Sequence, residues 1–169
     1  MYKKIGLIVF LSILVNILQQ TIFSNIKIFA INMDIVLTFI ICYSLIREDV
    51  ECVMVALLCG LIRDSFFPGI FGLNTIVYLV TAYILCQIER KIYKDALLIP
   101  MLSAFVFTVL KGILYYAYLY TASIQFEFVS HFMYVVPIEA ILNSIISIIV
   151  FRFVTKIDTI KFMQQEWKF

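Results

Sequence analysis

Long apolar runs separated by short polar stretches dominate the chain. A helix needs about 20 mostly apolar residues to cross the hydrocarbon core of a membrane. Five runs meet this requirement, at residues 5–23, 28–46, 72–88, 96–120 and 132–154. A sixth, at residues 50–67, is interrupted by Arg63 and Asp64, and taken alone it could be a re-entrant segment. The pattern predicts an all-α, polytopic membrane protein, with a compact bundle of six transmembrane helices if the sixth run also crosses.

The positions of Lys and Arg decide whether residues 50–67 cross, because these residues accumulate in cytoplasmic loops. If the segment did not cross, the basic residues at 90–94 and the basic C-terminus would move outside. With six crossings and the N-terminus inside, only Lys27 and Arg63 face outward, and Lys111 lies within a helix. We therefore predict six crossings with both termini cytoplasmic. The cytoplasmic side then carries Lys3, Lys4, Arg47, Arg90, Lys91, Lys94, Arg152, Lys156, Lys161 and Lys168.

The composition agrees with a membrane protein. The chain of 169 residues is 64% hydrophobic and 14% charged, with a mean hydropathy of +1.06, whereas soluble domains are about 45–50% apolar and about 25% charged. The same figures exclude intrinsic disorder. The net charge of +2 is too small, and its basic residues too scattered, to indicate a nucleic-acid partner.

The chain length fits one transmembrane domain over residues 1–154 and a short tail over residues 155–169. In the tail, Ile157, Ile160, Met163 and Trp167 recur at helical spacing among polar residues. This pattern is typical of an amphipathic helix that lies on the inner membrane surface. The alternative is a frayed end of the sixth helix.

Sequence features of an enzyme or a metal site are missing. The only histidine, His131, lies in a short predicted loop, and the cysteines show no CxxC spacing. We interpret Cys42, Cys52, Cys59 and Cys86 as small buried hydrophobes and not as zinc ligands. No glycine-rich phosphate loop occurs. We therefore predict no catalytic activity and no cofactor.

Polar residues within the predicted helices concentrate in the outer half of the membrane, while the inner half is nearly pure Ile, Leu, Val and Phe. Such groups are costly in a bilayer and need partners or roles. They could bond the helices together, form a partner-docking surface, or line a small-molecule pocket. The residues are Asn16, Gln19, Asp34, Arg63, Asp64, Asn74, Lys111, Glu139 and Asn143.

The most specific stretch is the hinge between the third and fourth predicted helices. Gly60 permits close helix packing, and a Pro-Gly-Ile-Phe-Gly run that ends at Gly72 supplies a tight turn. Asp64 and Asn74 flank this turn. Because the turn is too short to separate its two helices widely, we expect these two side chains to hydrogen-bond and order the loop.

A second predicted interaction is an ion pair inside the membrane. Counted from the outer ends of helices five and six, Lys111 lies roughly 13 Å deep and Glu139 roughly 10 Å. Gly112 leaves room for the two helices to pack closely. The alternative is that Lys111 extends outward to the surface while a protonated Glu139 bonds Asn143.

These motifs resemble those of MreD, the rod shape-determining membrane protein family. The resemblance implies a non-catalytic subunit of the bacterial cell-elongation complex in the cytoplasmic (inner) membrane, in contact with membrane lipid. It would be a scaffold that links MreC and the cytoplasmic MreB to RodA and a class B penicillin-binding protein. The matching positions are Gln20-Thr21, Met33-Asp34-Ile35, Gly60-Leu61-Ile62-Arg63-Asp64, Gly69, Gly72, Leu73, Asn74, Glu139 and Asn143.

An alternative from another class is the substrate-binding subunit of an ECF-type vitamin transporter. Such subunits also have six helices and a pocket near the outer surface. They usually present an Ala-x-x-x-Ala pair on helix one for docking, and residues 5–12 contain no such pair.

Overall fold

Helices make up almost all of the structure, a computed structural model that describes residues 2–23, 31–47, 49–66, 71–89, 97–121 and 131–159. A π-helical turn, Gln19–Phe23, extends the first helix, and another, His131–Val135, leads into the last. These ranges contain no β-strand, so the all-α prediction is confirmed. The helices are α1 Tyr2–Leu18, α2 Ile35–Ser44, α3 Asp49–Phe66, α4 Leu73–Glu89, α5 Leu98–Thr121 and α6 Val136–Asp158.

Within the described ranges, three helical segments are long and apolar enough to cross a membrane: Lys4–Phe23, Leu98–Thr121 and Phe132–Asp158. Ile35–Ser44 and Leu73–Gln87 are apolar but shorter. The six helices overlap the six predicted segments, so the positions of the segments agree, while the number that cross the bilayer stays a prediction. Helix α6 runs to Asp158, and the predicted surface helix of the tail lies almost wholly outside the described residues.

Helix α2 is the centre of the bundle. All ten of its residues are buried, and it packs against α3, α4, α5 and α6. A helix that is apolar and buried on every side forms the core of a bundle. The helix is therefore shorter than the predicted segment at 28–46. In the part of that segment that the structure describes, the α-helix begins only after Asp34, whose side chain accepts a hydrogen bond from Leu37 N–H.

The other helices are arranged around α2 as two hairpins, α3–α4 and α5–α6, with α1 packed on α3. Ion pairs mark one end of the bundle, where α1 and α3 begin and α6 ends. We call this the basal end and define it by Lys4, Arg47, Glu51 and Asp158. Lys4 and Glu51 lie near the starts of α1 and α3, whereas Arg47 and Asp158 lie at the ends of α2 and α6. Helices α1 and α3 therefore run away from the basal end, and α2 and α6 run toward it.

Two glycines allow the hairpins to pack closely. A Cβ atom added to Gly60 in α3 would lie 2.5 Å from the Cα of Thr75 in α4. One added to Gly112 in α5 would lie 2.9 Å from a methyl carbon of Val136 in α6. Both positions predicted to permit close packing are confirmed. The contact at Gly60 is with backbone, which cannot move aside as a side chain can.

We predict that Gly60→Ala lowers the stability of the purified protein, because the added methyl group forces α3 and α4 apart. The expected loss is about 1–3 kcal/mol, the usual cost of overpacking. Gly6→Ala is the matched control, since a Cβ there meets no atom within 4 Å. Thermal unfolding in detergent measures both variants. Equal unfolding temperatures for the two would contradict the packing role of Gly60.

Candidate functional site

The N-terminus of α2 is held by side chains from several helices. The N–H of Asp34 donates to the Asn143 Oδ1 of α6 at 2.9 Å, and the N–H of Ile35 donates to the Gln19 Oε1 at 2.8 Å. The Asp34 carboxylate itself accepts from the N–H of Leu37 at 3.0 Å. The first backbone donors of a helix lack partners within it, and here these three are satisfied although the site is buried.

The second oxygen of Asp34 forms the central ion pair of this region. Asp34 Oδ2 contacts the Lys111 Nζ of α5 and accepts a longer hydrogen bond, 3.4 Å, from the Tyr78 hydroxyl of α4. Lys111 Nζ also lies 3.9 Å from Glu139 Oε1. The predicted Lys111–Glu139 pair is therefore present, but Asp34 is the closer partner of the lysine.

Asn143 does not bond Glu139, as the alternative to the Lys111–Glu139 pair expects, but has other partners. Its amide nitrogen donates to Thr108 Oγ1 at 3.1 Å, and its oxygen accepts from the N–H of Asp34. Both polar atoms of Asn143 thus join α6 to α5 and to the start of α2. No hydrogen bond joins Glu139 to Asn143 in the described residues.

The hinge between α3 and α4 is closed by a single carboxylate. Asp64 Oδ1 accepts from both the backbone N–H and the side-chain amide of Asn74, at 3.2 and 2.9 Å. Asp64 Oδ2 accepts from the backbone of Gly72 and from the backbone and hydroxyl of Thr75. The predicted contact of Asp64 with Asn74 is confirmed. Gly72 has a φ of 97°, a conformation that favours glycine.

A cavity of about 440 Å³ opens beside these two groups of hydrogen bonds, at the opposite end from the basal end. We call this the cavity end. Of the predicted site residues, Asp34, Arg63, Asn74, Lys111 and Glu139 line the cavity, whereas Asn143 lies beneath Asp34. Asp64 and Gly72 belong to the adjoining hinge, and Gly60 packs within the α3–α4 contact.

Gln19, one of the predicted outer polar residues, completes the site together with two residues that the sequence does not single out, Thr108 and Tyr78. Gln19 spans the start of α2, since its amide nitrogen also donates to the Met33 carbonyl at 2.9 Å. Thr108 and Tyr78 contribute their hydroxyls. The family motif contains Gln20-Thr21, whereas the side chain that bonds the start of α2 is that of the neighbouring Gln19. The position of Gln19 near the end of an apolar segment is the signal that places it among the predicted outer polar residues.

The chain matches, over residues 1–158, the family model described as rod shape-determining protein MreD. It belongs to the MreD family. No curated protein and no solved structure matched it in the corresponding comparisons. MreD membership assigns the chain to rod shape determination, and together with its three long apolar helices it indicates an integral membrane protein.

The basal end of this MreD protein contains buried ion pairs that the sequence pattern does not predict. Glu51 of α3 is 2% exposed in its side chain and pairs with Lys4 of α1. It also accepts a hydrogen bond from the Tyr43 hydroxyl at 3.2 Å. Arg47 lies 2.7 Å from Asp158 at the end of α6. The sequence pattern predicts Lys4 and Arg47 only as cytoplasmic loop charges and does not identify their acidic partners.

We predict that the two acidic partners of Lys111 replace one another in part. Asp34→Asn keeps a good capping side chain and leaves Glu139 for the lysine, and Glu139→Gln leaves Asp34. The double variant leaves the lysine without either carboxylate, so its loss should exceed the sum of the single losses and approach the about 3–5 kcal/mol of a broken buried pair. Thermal unfolding of all three proteins in detergent measures this difference.

The control for this comparison is the pair Asp34→Asn and Asp158→Asn. These residues lie at opposite ends of the bundle and share no partner, so their effects should add. If the losses at Asp34 and Glu139 also simply add, the shared-lysine arrangement is wrong.

Proposed function

We propose that this protein is a non-catalytic scaffold subunit of the bacterial cell-elongation complex in the cytoplasmic membrane. In this role it links MreC and cytoplasmic MreB to RodA and a class B penicillin-binding protein. The family match over residues 1–158 is the observation that carries the proposal. The scaffold, in contrast to a transporter or an enzyme, offers partner helices a fixed surface.

The way the polar side chains are used supports a scaffold. Asp34 and Asn143 join the start of α2 to α5 and α6, and Asp64 closes the α3–α4 hinge. Both carboxylates thus accept hydrogen bonds that hold helices in fixed positions. Of the uses considered for the outer polar residues, bonding between helices accounts for these three directly.

The proposed topology has six crossings, both termini in the cytoplasm, and the cavity end facing outward. The basal end contains Lys4 and Arg47, and Arg152 and Lys156 lie near it in the last turns of α6. This arrangement agrees with the enrichment of Lys and Arg on the cytoplasmic side. Exposed apolar side chains on α6, including Ile141, Ile145 and Ile149, are then available to lipid and to partner helices.

One observation favours the second candidate function, a substrate-binding subunit of a vitamin transporter. The cavity has charged and amide groups on its floor and lies at the end proposed to face outward. Its volume falls in the about 300–1,000 Å³ range of small-molecule sites. The family match favours the scaffold, and a growth experiment separates the two.

Depletion of the protein in its source bacterium should widen or round rod-shaped cells, because wall insertion would no longer be coupled to the cytoplasmic filament. Microscopy of cell width during depletion measures this effect, and re-expression of the wild-type protein should restore the width. Unchanged cell shape combined with loss of vitamin uptake would overturn the scaffold proposal and support the transporter.

We predict that Asp64→Ala reduces co-purification of MreC with this protein, by about tenfold or more, because the hinge at the cavity end loses the acceptor of five hydrogen bonds. Ser65→Ala is the matched control. The Ser65 hydroxyl is exposed and bonds only the Leu61 carbonyl of its own helix. Equal recovery of MreC with both variants at equal membrane abundance would exclude a role of the hinge in the complex.

A further inference from the structure

The cavity combines apolar walls with a polar floor. Aromatic and aliphatic side chains from α5, from the π-helical turn before α6 and from the first residue of α6 form the walls, while charged and amide groups form the floor. This composition is typical of sites that bind a small polar group attached to, or surrounded by, apolar material. The wall residues are Tyr115, Tyr116, Leu119, Phe132, Val135 and Val136.

Among the residues that the structure describes, the charges that line the floor are two negative and two positive. Asp34 and Glu139 contribute two carboxylates, and Lys111 and Arg63 contribute two cations. An occupant with a net charge would disturb this balance in a poorly solvated site, at a considerable electrostatic cost. A zwitterion adds one charge of each sign and leaves the balance intact.

The two carboxylates differ in the number of hydrogen bonds that they accept. Asp34 accepts hydrogen bonds from Leu37, Lys111 and Tyr78. Glu139 accepts none in the described residues, and Lys111 Nζ, at 3.9 Å from its Oε1, is too distant for one. With a side chain 22% exposed, Glu139 is the accessible acceptor for an ammonium group.

The remaining features fit the anionic part of such a ligand and its source. Arg63 lines the same floor, and a guanidinium is well suited to phosphate or carboxylate oxygens. The residues at the cavity end include strongly exposed large side chains, among them Phe71, Tyr120 and Tyr134, at 69%, 75% and 68% exposure. Exposed aromatic residues at helix ends are typical of the membrane interface, where lipid head groups lie.

We propose that this cavity binds a zwitterionic group that carries one ammonium and one oxyanion, with Glu139 receiving the ammonium and Arg63 the oxyanion. Phosphatidylethanolamine presents this chemistry at the membrane interface, and a free molecule such as phosphoethanolamine presents it from solution. The site does not depend on the scaffold function, because it follows from the charges and the cavity alone.

Native mass spectrometry of the full-length protein tests the proposal, with phosphatidylethanolamine and the anionic phosphatidylglycerol supplied in equal amounts. The wild-type protein should retain phosphatidylethanolamine about tenfold more, because the anionic lipid leaves its charge unmatched. Binding of free phosphoethanolamine without retention of either lipid would identify the soluble source. Equal retention of the two lipids, or binding of neither lipid nor free phosphoethanolamine, would overturn the proposal.

Glu139→Gln provides a readout that a purely structural role would not give. The variant removes one negative charge and leaves the floor with an excess cation, so the lipid preference should reverse toward phosphatidylglycerol. Asp158→Asn makes the same change of charge at the basal end and should keep the wild-type preference. An unchanged preference in Glu139→Gln would overturn the assignment of the ammonium site, and the wild-type ratio tests the zwitterion itself should the variant fold poorly.

Discussion

The buried start of helix α2 is the constraint on which the rest of the structure depends. A ten-residue apolar helix buried on every side can satisfy its side chains by packing, but its first backbone N–H groups still need acceptors. Those acceptors come from Asn143, Gln19 and Asp34. Because the capping carboxylate is itself buried, it needs a cation in turn, and Lys111 provides it. Backbone hydrogen bonding thus leads step by step to a buried charge pair.

These linked requirements determine how the surrounding helices are positioned. Lys111 comes from α5, Tyr78 from α4, Asn143 from α6, and Gln19 from the π-helical turn that ends the first helical segment. A shift of any of these elements by one helical turn would move its polar group about 5.4 Å and leave a buried polar atom without its partner. Apolar packing alone tolerates such shifts more easily. In this bundle the polar groups therefore favour the observed register of the surrounding helices.

Local and depth-based reasoning from the sequence predicted part of this arrangement. The Asp64–Asn74 contact follows from a short turn, and the Lys111–Glu139 proximity follows from equal depth on two helices joined by a short loop. The partnership of Lys111 with Asp34 joins residues 77 positions apart, and neither a spacing nor a depth rule identifies the closer of two carboxylates. That choice depends on which helices neighbour α2.

The ion pairs of the basal end do not follow from the sequence for a related reason. Counting Lys and Arg to predict topology treats Lys4 and Arg47 as indicators of orientation and not as members of ion pairs. In the structure, Lys4 is 4% exposed and Arg47 8%, because Glu51 and Asp158 neutralise them. A basic residue near the end of an apolar run can be both oriented by the membrane and buried in the bundle. Only the three-dimensional positions of the acidic residues distinguish these cases.

The two ends of the bundle use their charges differently, and this difference bears on function. At the basal end, Glu51 is 2% exposed and is bonded to groups from α1 and α2. Its carboxylate therefore holds helices together and is not accessible to another molecule. At the cavity end, Asp34 plays the same structural part, but Glu139 stays accessible beside it. The Asp34 carboxylate alone caps the start of α2 and pairs with Lys111, and Glu139 is a second carboxylate at the same end. A protein that needed only a rigid frame would gain little from that second acid in a cavity, because its partial burial carries an electrostatic cost. The cavity end therefore combines a frame with a surface that can recognise a further molecule.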